Sequence, residues 1–293
     1  MNSARFRSDA LLLLVAVIWG SSFAVQRVAA QHLGVFLFNG LRFMLAVLIL
    51  LPFARQKERL ERGDFAWIGL AGVCAFAGSA LQQAGLQFTT AGNAGFITSL
   101  YVVLVPVLLF ILWKQRVSWI GWVAALLAVA GAMLLSTGGK GFQLAGKSVA
   151  GDGLELLGAV CWALHVIAVG RGARRMAILT FSIGQYLVAG TLNLGLGLAL
   201  EGRLLSGLAS AWWTVVYIAV FSTAIGYTLQ AVGQRHAPPA DAAIILSLES
   251  VFAALFGYLF LTERLTAVQV LGCVLIFGAV LLAQVKRKAG EGV

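Results

Sequence analysis

Ten stretches of mostly apolar residues divide this chain, and each is long enough to form a membrane-crossing helix. About 20 residues of α-helix cross the hydrocarbon core of a bilayer. Apolar residues make up 60% of the sequence and charged residues 11%, whereas a soluble domain carries roughly 25% charge. Because lipid offers the backbone no hydrogen-bond partners, the sequence predicts an all-α integral membrane protein with ten transmembrane helices. The stretches are 9–29, 34–53, 64–88, 91–113, 118–137, 152–171, 177–200, 209–234, 239–261 and 266–285.

The second half of the sequence repeats the first. Residues 81–118, shifted by 148 positions, match 229–266, and residues 9–19, shifted by 143 positions, match 152–162. Repetition of this extent predicts two copies of one structural unit. The identical pairs include Gln82/Gln230, Gly85/Gly233, Ser99/Ser247 and Trp19/Trp162. The predicted units are residues 1–137 and 152–293, with a linker over 138–151.

Basic residues predict how the helices are oriented. Membrane proteins keep most Lys and Arg on the cytoplasmic side. With a cytoplasmic N-terminus, 15 of the 21 Lys and Arg residues fall on that side and five on the other, while Arg42 lies within a helix. Both termini are therefore predicted to be cytoplasmic and the linker extracytoplasmic. Since each half has five helices, the second must insert upside down relative to the first, as an inverted-topology repeat.

Polar residues inside the apolar stretches are the candidates for a substrate cavity, because such groups are costly in hydrocarbon. Glu249 lies near mid-membrane in the ninth stretch, and its repeat partner in the fourth stretch is Tyr101. Trp162 and His165 are three residues apart and share one face of the sixth stretch. The other candidates are Trp19, Ser22, Ser79, Gln82, Ser99, Tyr227, Gln230 and Ser247.

Structural interpretations of these residues stay open. A protonated carboxyl in an interhelical hydrogen bond would also explain Glu249, and a satisfied core side chain would explain His165. Arg42, matched in the repeat to Gln185, can face the cavity or extend its charge to the membrane surface. Pro106 removes one helical hydrogen bond, so it is either a hinge or a tolerated bend.

The sequence lacks the signatures of several other function classes. It has no Gly-rich loop with Lys and Ser or Thr for ATP, no His-Glu-x-x-His motif and no nucleophile elbow. Cys74, Cys161 and Cys273 lie at no metal-ligand spacing. The net charge of +10 is spread over short loops and forms no continuous face for nucleic acid. We therefore expect no enzyme activity, cofactor, bound metal, ATP or nucleic-acid partner.

Three short motifs, in order along ten helices, resemble a known family. They are Trp19–Phe23 in the first stretch, Leu41–Phe43 in the second and Thr262–Thr266 after the ninth. Together they resemble the EamA branch of the drug/metabolite transporter superfamily over essentially the whole chain. The first half departs from the pattern at 115–118, where Gln-Arg-Val-Ser replaces Glu-Arg-Leu-Thr. This change bears on the inner end of the fifth helix and not on the cavity.

Within this branch the chain is similar to the bacterial amino-acid exporters of the YddG type, which release aromatic amino acids. The resemblance implies alternating access, with the third, fourth, eighth and ninth helices lining a central cavity. It makes Tyr101, Trp162, His165 and Glu249 the leading cavity candidates. It also implies a multi-pass protein of the bacterial inner membrane.

Residues and resemblance together predict a secondary transporter that exports small amphipathic metabolites, above all amino acids with aromatic or large apolar side chains. Its partners would be a small-molecule substrate and the lipid bilayer; the oligomeric state stays open, a monomer included. Two alternatives stay open: export of cationic drugs or other metabolites, and a membrane scaffold that transports nothing. Proton coupling through Glu249 or His165 also stays open.

Overall fold

The computed structural model describes residues 3–54, 59–89, 91–137, 147–201, 207–261 and 265–290. All regular structure in these ranges is helical, and they contain no strand. The α-helices are α1 (Ser3–His32), α2 (Val35–Leu50), α3 (Arg62–Gly85), α4 (Ala91–Ser99), α5 (Tyr101–Trp113), α6 (Trp119–Thr137), α7 (Lys147–Arg175), α8 (Ile178–Leu200), α9 (Leu208–Tyr217), α10 (Thr228–Gln234), α11 (Pro239–Leu246), α12 (Glu249–Leu261) and α13 (Ala267–Gly290). A 3₁₀ turn over Leu51–Phe53 follows α2, and a π-helix over Ile218–Tyr227 joins α9 to α10.

Eight helical segments within the described residues are long and apolar enough to cross a membrane, judged by length and composition. Two shorter apolar helices, Trp119–Leu135 and Ala267–Ala283, occupy the remaining predicted stretches. The chain is thus built as a multi-pass membrane protein. The eight segments are Arg5–His32, Val35–Phe53, Arg62–Gly85, Ala94–Trp113, Val149–Arg175, Ile178–Leu200, Leu208–Gln234 and Pro239–Phe256.

Part of the predicted linker over 138–151 is helical, because α7 already begins at Lys147. Residues 138–146 lie outside the described residues. So do Thr262, Glu263 and Arg264 of the motif that follows the ninth stretch.

The fourth predicted helix is broken near its middle, where the sequence predicts one continuous helix. α4 ends at Ser99 and α5 begins at Tyr101. The Ser99 hydroxyl donates a hydrogen bond to Phe96 O at 2.7 Å, and the Leu100 N–H bonds three residues back, at 3.1 Å. A serine that bonds the preceding turn competes with the regular backbone pattern and bends a helix.

The ninth predicted helix is broken in the same way at the repeat-matched position. The Ser247 hydroxyl donates to Ile244 O at 2.7 Å, and α12 then begins at Glu249. Two residues that differ between the halves, Tyr101 and Glu249, therefore open the segments that follow the two breaks.

The eighth predicted helix also departs from a regular α-helix. Its middle section, Ile218–Tyr227, is π-helical. Such turns are rare and are often found at functional sites. The wider turn changes the direction in which its own side chains and those after it point. Within it, Ser222 and Tyr227 are both buried.

At one end of the molecule, α1 and α3 meet where α7 begins. α7 runs antiparallel to α3, because Arg175 near the end of α7 pairs with Asp64 near the start of α3 at 2.9 Å. The end of α3 contacts the end of α1, where Arg27 donates to Leu86 O.

At the other end, the start of α1 lies where α7 ends. Arg5 on α1 donates to His236 O at 2.6 Å, and Arg174 on α7 donates to Ala237 O at 3.2 Å. The first helix of each half therefore runs in the direction opposite to the other.

Two glycines allow a close helix contact outside the central region. α6 crosses α13 at Gly131 and Gly272. A Cβ on Gly131 would lie 2.6 Å from Gly272 O, and one on Gly272 would lie 2.5 Å from Gly131 O. Small residues allow such backbone approach in membrane helices. This pair contributes packing and no side chain to the cavity described next.

Candidate functional site

Side chains from both halves line one cavity. Its wall includes side chains from α1 and α2 of the first half and from α7 and α12 of the second. The cavity is lined by Trp19, Ser22, Phe23, Gln26, Arg42, Gln82, Thr98, Tyr101, Trp162, His165, Val166, Ser222, Tyr227, Gln230 and Glu249.

All the predicted cavity residues except three serines line this cavity. Ser79, Ser99 and Ser247 are buried outside its wall, and each hydroxyl bonds a carbonyl of its own helix. A helical serine can satisfy its hydroxyl on the preceding turn, so burial of a serine does not require a polar cavity. These three serines bond within their own helices and do not line the cavity.

Several wall residues were outside the predicted set. The most consequential is Arg42, which the sequence leaves between two interpretations and which the structure buries in the wall, 1% exposed. Its position deep within an apolar stretch was the available signal. The others are Phe23, Gln26, Thr98, Val166 and Ser222.

Tyr227 is the centre of an aromatic cluster on the cavity wall. Its ring centroid lies 4.9 Å from that of Trp19 and 5.8 Å from that of Trp162, with which it stacks at 20°. His165 meets the same ring edge-on at 5.5 Å, and Phe43 stacks at 6.4 Å. These offset and edge-on arrangements are the favoured ones for aromatic groups. The cluster makes this part of the cavity wall aromatic and mostly apolar.

Glycines make room for the two tryptophans. A Cβ on Gly78 of α3 would lie 2.9 Å from Trp162 Cε2, and one on Gly226 would lie 2.7 Å from Trp19 Nε1. Trp19 Nε1 also donates a hydrogen bond to Ser222 O at 3.2 Å. Both indole positions thus depend on neighbours that have no side chain.

Two nitrogens of Arg42 are left without a close hydrogen-bond partner among the described residues. Its Nη1 donates to Gln26 Oε1 at 3.3 Å, and its guanidinium carbon lies 4.9 Å from the Phe43 ring centroid. Its Nε and Nη2 make no hydrogen bond of normal geometry with the described residues, although the Tyr227 hydroxyl is near enough to the guanidinium to interact with it. Arg42 forms no ion pair with any described residue. These two N–H groups lie on one side of the guanidinium, the fork that binds a carboxylate with two parallel hydrogen bonds.

The repeat partner of Arg42 has a different role. Gln185 Oε1 lies 2.9 Å from His165 Nε2. Because an amide oxygen only accepts hydrogen bonds, the imidazole donates from Nε2. His165 is therefore held in one orientation against the aromatic cluster, and the bond offers an explanation for its burial that needs no substrate.

Glu249 lies beside Tyr101 in the cavity wall. The two groups are near enough to interact, yet neither Glu249 Oε1 nor Tyr101 Oη has a hydrogen-bond partner among the described residues. Glu249 forms no ion pair in this part of the chain. A close approach of α1 to α12 at Gly20, where a Cβ would lie 2.8 Å from Glu249 O, places the acid beside Trp19.

The cavity therefore combines three kinds of group: an arginine with unused donors, a carboxyl with an unused oxygen, and an aromatic surface. Buried polar groups without partners are uncommon in folded proteins. Where the structure describes the chain, no three His, Cys, Asp or Glu side chains come close enough to hold a metal ion. The chemistry of the wall suits an organic solute with both charges and an apolar part.

The chain is similar to proteins of one transporter family. The model of the EamA-like transporter family matches residues 6–137 and 149–284. An uncharacterized transporter of Archaeoglobus fulgidus is 34% identical over 282 residues, which cover 96% of this chain and 87% of that protein. The threonine/homoserine exporter RhtA of Escherichia coli strain K12 is 28% identical over 168 residues, or 56% of this chain and 53% of the exporter. One crystal structure superposes with a TM-score of 0.80 at 19% identity, covering 98% of this chain and all of the other, a likeness of fold.

Proposed function

Because the chain belongs to the EamA-like transporter family, we propose that it is a secondary transporter that exports small amphipathic metabolites by alternating access. Its proposed cargo is an amino acid with an aromatic or large apolar side chain, as in the YddG-type exporters. We place it in a bacterial inner membrane, with both termini cytoplasmic.

The observation that carries this proposal is the presence of Arg42 and Glu249 in one buried cavity, each with unused hydrogen-bonding atoms. A free amino acid carries a carboxylate and an ammonium group. The Nε and Nη2 donors of Arg42 fit the carboxylate, and Glu249 Oε1 fits the ammonium. Each charge would then be compensated by the substrate, which explains how two unpaired ionisable groups are tolerated in a membrane-buried site.

The aromatic cluster supports an apolar side chain on that substrate. Trp19, Trp162 and Tyr227 form a surface on which a ring can stack. The similarity to a threonine/homoserine exporter over part of the chain supports amino acids as the general class.

Alternating access requires two halves that can move against each other. We propose two inverted five-helix repeats, residues 1–137 and 152–293, joined by the 138–151 linker. The opposite directions of α1 and α7 support this, and so do the matched breaks at Ser99 and Ser247. The family model also matches two separate segments that fall within these halves, apart from the last residues of the linker. Broken helices beside a central site are typical of secondary transporters.

A cationic drug is the alternative cargo, since Glu249 and the indole rings would attract a positive charge. The buried Arg42 opposes it, because a cation would enter a cavity that already holds an unpaired guanidinium. The two cargoes therefore predict different transport profiles.

Counterflow in liposomes tests the proposal. Purified protein is reconstituted into liposomes loaded with unlabelled solute, and external labelled phenylalanine, leucine, threonine, glycine and tetraphenylphosphonium are offered in turn. We expect phenylalanine and leucine to accumulate well above protein-free liposomes, and glycine little. Accumulation of tetraphenylphosphonium alone would favour the drug exporter, and accumulation of no solute would favour the scaffold.

A further inference from the structure

A second acidic group lies directly behind the cavity wall. Glu155 on α7 is fully buried. Thr98 Oγ1 donates to Glu155 Oε2 at 3.3 Å, and Gln82 Nε2 donates to Thr98 Oγ1 at 3.0 Å. Thr98 and Gln82 both line the cavity, whereas Glu155 does not. One hydroxyl therefore separates this carboxyl from the cavity.

Among the residues that the structure describes, none supplies a positive charge that pairs with Glu155. From α3 it meets Gly85, where a Cβ would lie 2.8 Å from Glu155 Oε1, and from α4 it meets Thr98. The charged neighbour that acts on it is Asp152, one turn earlier on α7, whose carboxylate accepts a hydrogen bond from Thr89 at 2.6 Å. Among the described residues Glu155 forms no ion pair, and its Oε1 has no hydrogen-bond partner. The neutral acid fits this site better than the carboxylate does.

The other half of the molecule shows that packing does not require an acid here. Glu155 corresponds in the repeat to Leu12, and Gly85 corresponds to Gly233. A Cβ on Gly233 would lie 2.8 Å from Leu12 Cγ, so the same close helix contact is made by a leucine. Thr98 corresponds to Leu246, which is also fully buried. The polar chain from carboxyl to cavity thus exists in one half and is replaced by two leucines in the other.

We propose that Glu155 is a proton-binding site that couples substrate movement to proton movement, an inference that rests on the proposed transport function. To release its proton, the acid donates it from Oε2 to Thr98 Oγ1 while the proton of the Thr98 hydroxyl passes to water in the cavity. The hydroxyl, now carrying the transferred proton, donates a hydrogen bond to the resulting carboxylate, the arrangement seen in the structure. Reprotonation restores the acid. A positively charged group bound in the cavity stabilises the carboxylate, and the empty cavity favours the acid. Substrate and proton therefore bind alternately, as exchange of one for the other requires.

Two transport measurements on the same proteoliposomes test this coupling. Counterflow of labelled phenylalanine without a pH gradient reports substrate exchange, and accumulation driven by an imposed gradient of one pH unit reports coupling. The variants are Glu155→Gln, which keeps the size, and Glu155→Leu, which copies the residue of the other half. Glu201→Gln is the control, because Glu201 is an acid that binds the Phe36 and Leu37 N–H groups at the start of α2, away from the cavity.

We expect the wild type and Glu201→Gln to reach about 10-fold accumulation, the limit for one-for-one exchange. Both Glu155 variants should keep counterflow and lose accumulation. Three results would overturn the coupling role. The first is accumulation that Glu155→Gln retains, and the second is a wild type that shows counterflow but no accumulation driven by the pH gradient. The third is loss of both counterflow and accumulation in both Glu155 variants. Absence of phenylalanine counterflow in the wild type would instead overturn the proposed function, and the coupling with it.

Discussion

Ser99 and Ser247 end the first segments of two broken helices with the same hydrogen bond, each hydroxyl donating to the carbonyl three residues earlier at 2.7 Å. The segments that follow begin with Tyr101 and Glu249, which both line the cavity. Breaks at matched positions thus place two different side chains, a phenol and a carboxyl, in the same cavity. The two breaks match in the sequence repeat, and the side chains that follow them differ between the halves.

The position of Trp162 depends on a glycine of the neighbouring helix. A Cβ on Gly78 would lie 2.9 Å from the indole, so Gly78→Ala should displace the ring from its stack on Tyr227. An aromatic pair contributes about 0.5–1.5 kcal/mol, and we expect phenylalanine binding to weaken roughly 3- to 10-fold. Gly69→Ala on the same helix is the matched control, since nothing lies within 4 Å of a Cβ there. Equal affinities of the two variants in a calorimetric titration would contradict this arrangement.

The contact between α6 and α13 should govern stability and leave binding unchanged. Gly131→Ala places a methyl group 2.6 Å from Gly272 O, and such overpacking costs about 1–3 kcal/mol. We expect a lower unfolding temperature in detergent with unchanged affinity for phenylalanine. Gly195→Ala is the control, because a Cβ there meets no atom within 4 Å. A Gly131→Ala protein as stable as this control would show that the helices separate easily.

An ion pair at one end of the molecule joins the start of α1 to α11. Arg5 Nη2 lies 2.9 Å from Asp241 Oδ2, and both side chains are largely buried. Loss of a mostly buried charged hydrogen bond costs ~1–2 kcal/mol. Arg5→Gln should therefore open this end more often, with backbone hydrogen exchange in residues 235–246 roughly 10-fold faster. Arg7→Gln, at an exposed position on the same helix, should leave the exchange rate unchanged. An equal rise of the exchange rate in both variants would show that the Arg5–Asp241 ion pair does not hold this end closed.

Polar residues inside the apolar stretches predict much of the cavity lining. Trp162, His165, Glu249 and Tyr101 all lie in one wall, because a membrane helix must turn costly polar groups toward the protein interior. A buried serine in an apolar stretch does not mark the cavity in the same way. Ser99 satisfies its hydroxyl on its own helix, so its burial says nothing about the cavity.

Changes of helix geometry were not visible in the sequence. Pro106 was the predicted hinge candidate, yet α5 continues through it and the break lies at Leu100. The π-helical turn that ends at Tyr227 left no sign either. Both features depend on local hydrogen bonding that hydropathy does not record, and each changes the direction of the side chains that follow. The hinge role of Pro106 stays a prediction.

Recognition of both charges of an amino acid is the central claim, and binding of three related ligands tests it most directly. Phenylalanine, phenethylamine, which lacks the carboxylate, and 3-phenylpropionate, which lacks the amine, are titrated calorimetrically into wild type, Arg42→Gln and Glu249→Gln. Gln185 is the residue that matches Arg42 in the sequence repeat. Glutamine is therefore already accommodated at the equivalent position of the other half.

A charged hydrogen bond contributes about 1.5–3 kcal/mol, or roughly 10- to 100-fold in affinity. Arg42→Gln should weaken phenylalanine and 3-phenylpropionate by this factor and leave phenethylamine nearly unchanged. Glu249→Gln should weaken phenylalanine and phenethylamine and leave 3-phenylpropionate nearly unchanged. If both variants weaken all three ligands equally, or neither weakens any, the two residues do not recognise the two charges and the claim is wrong.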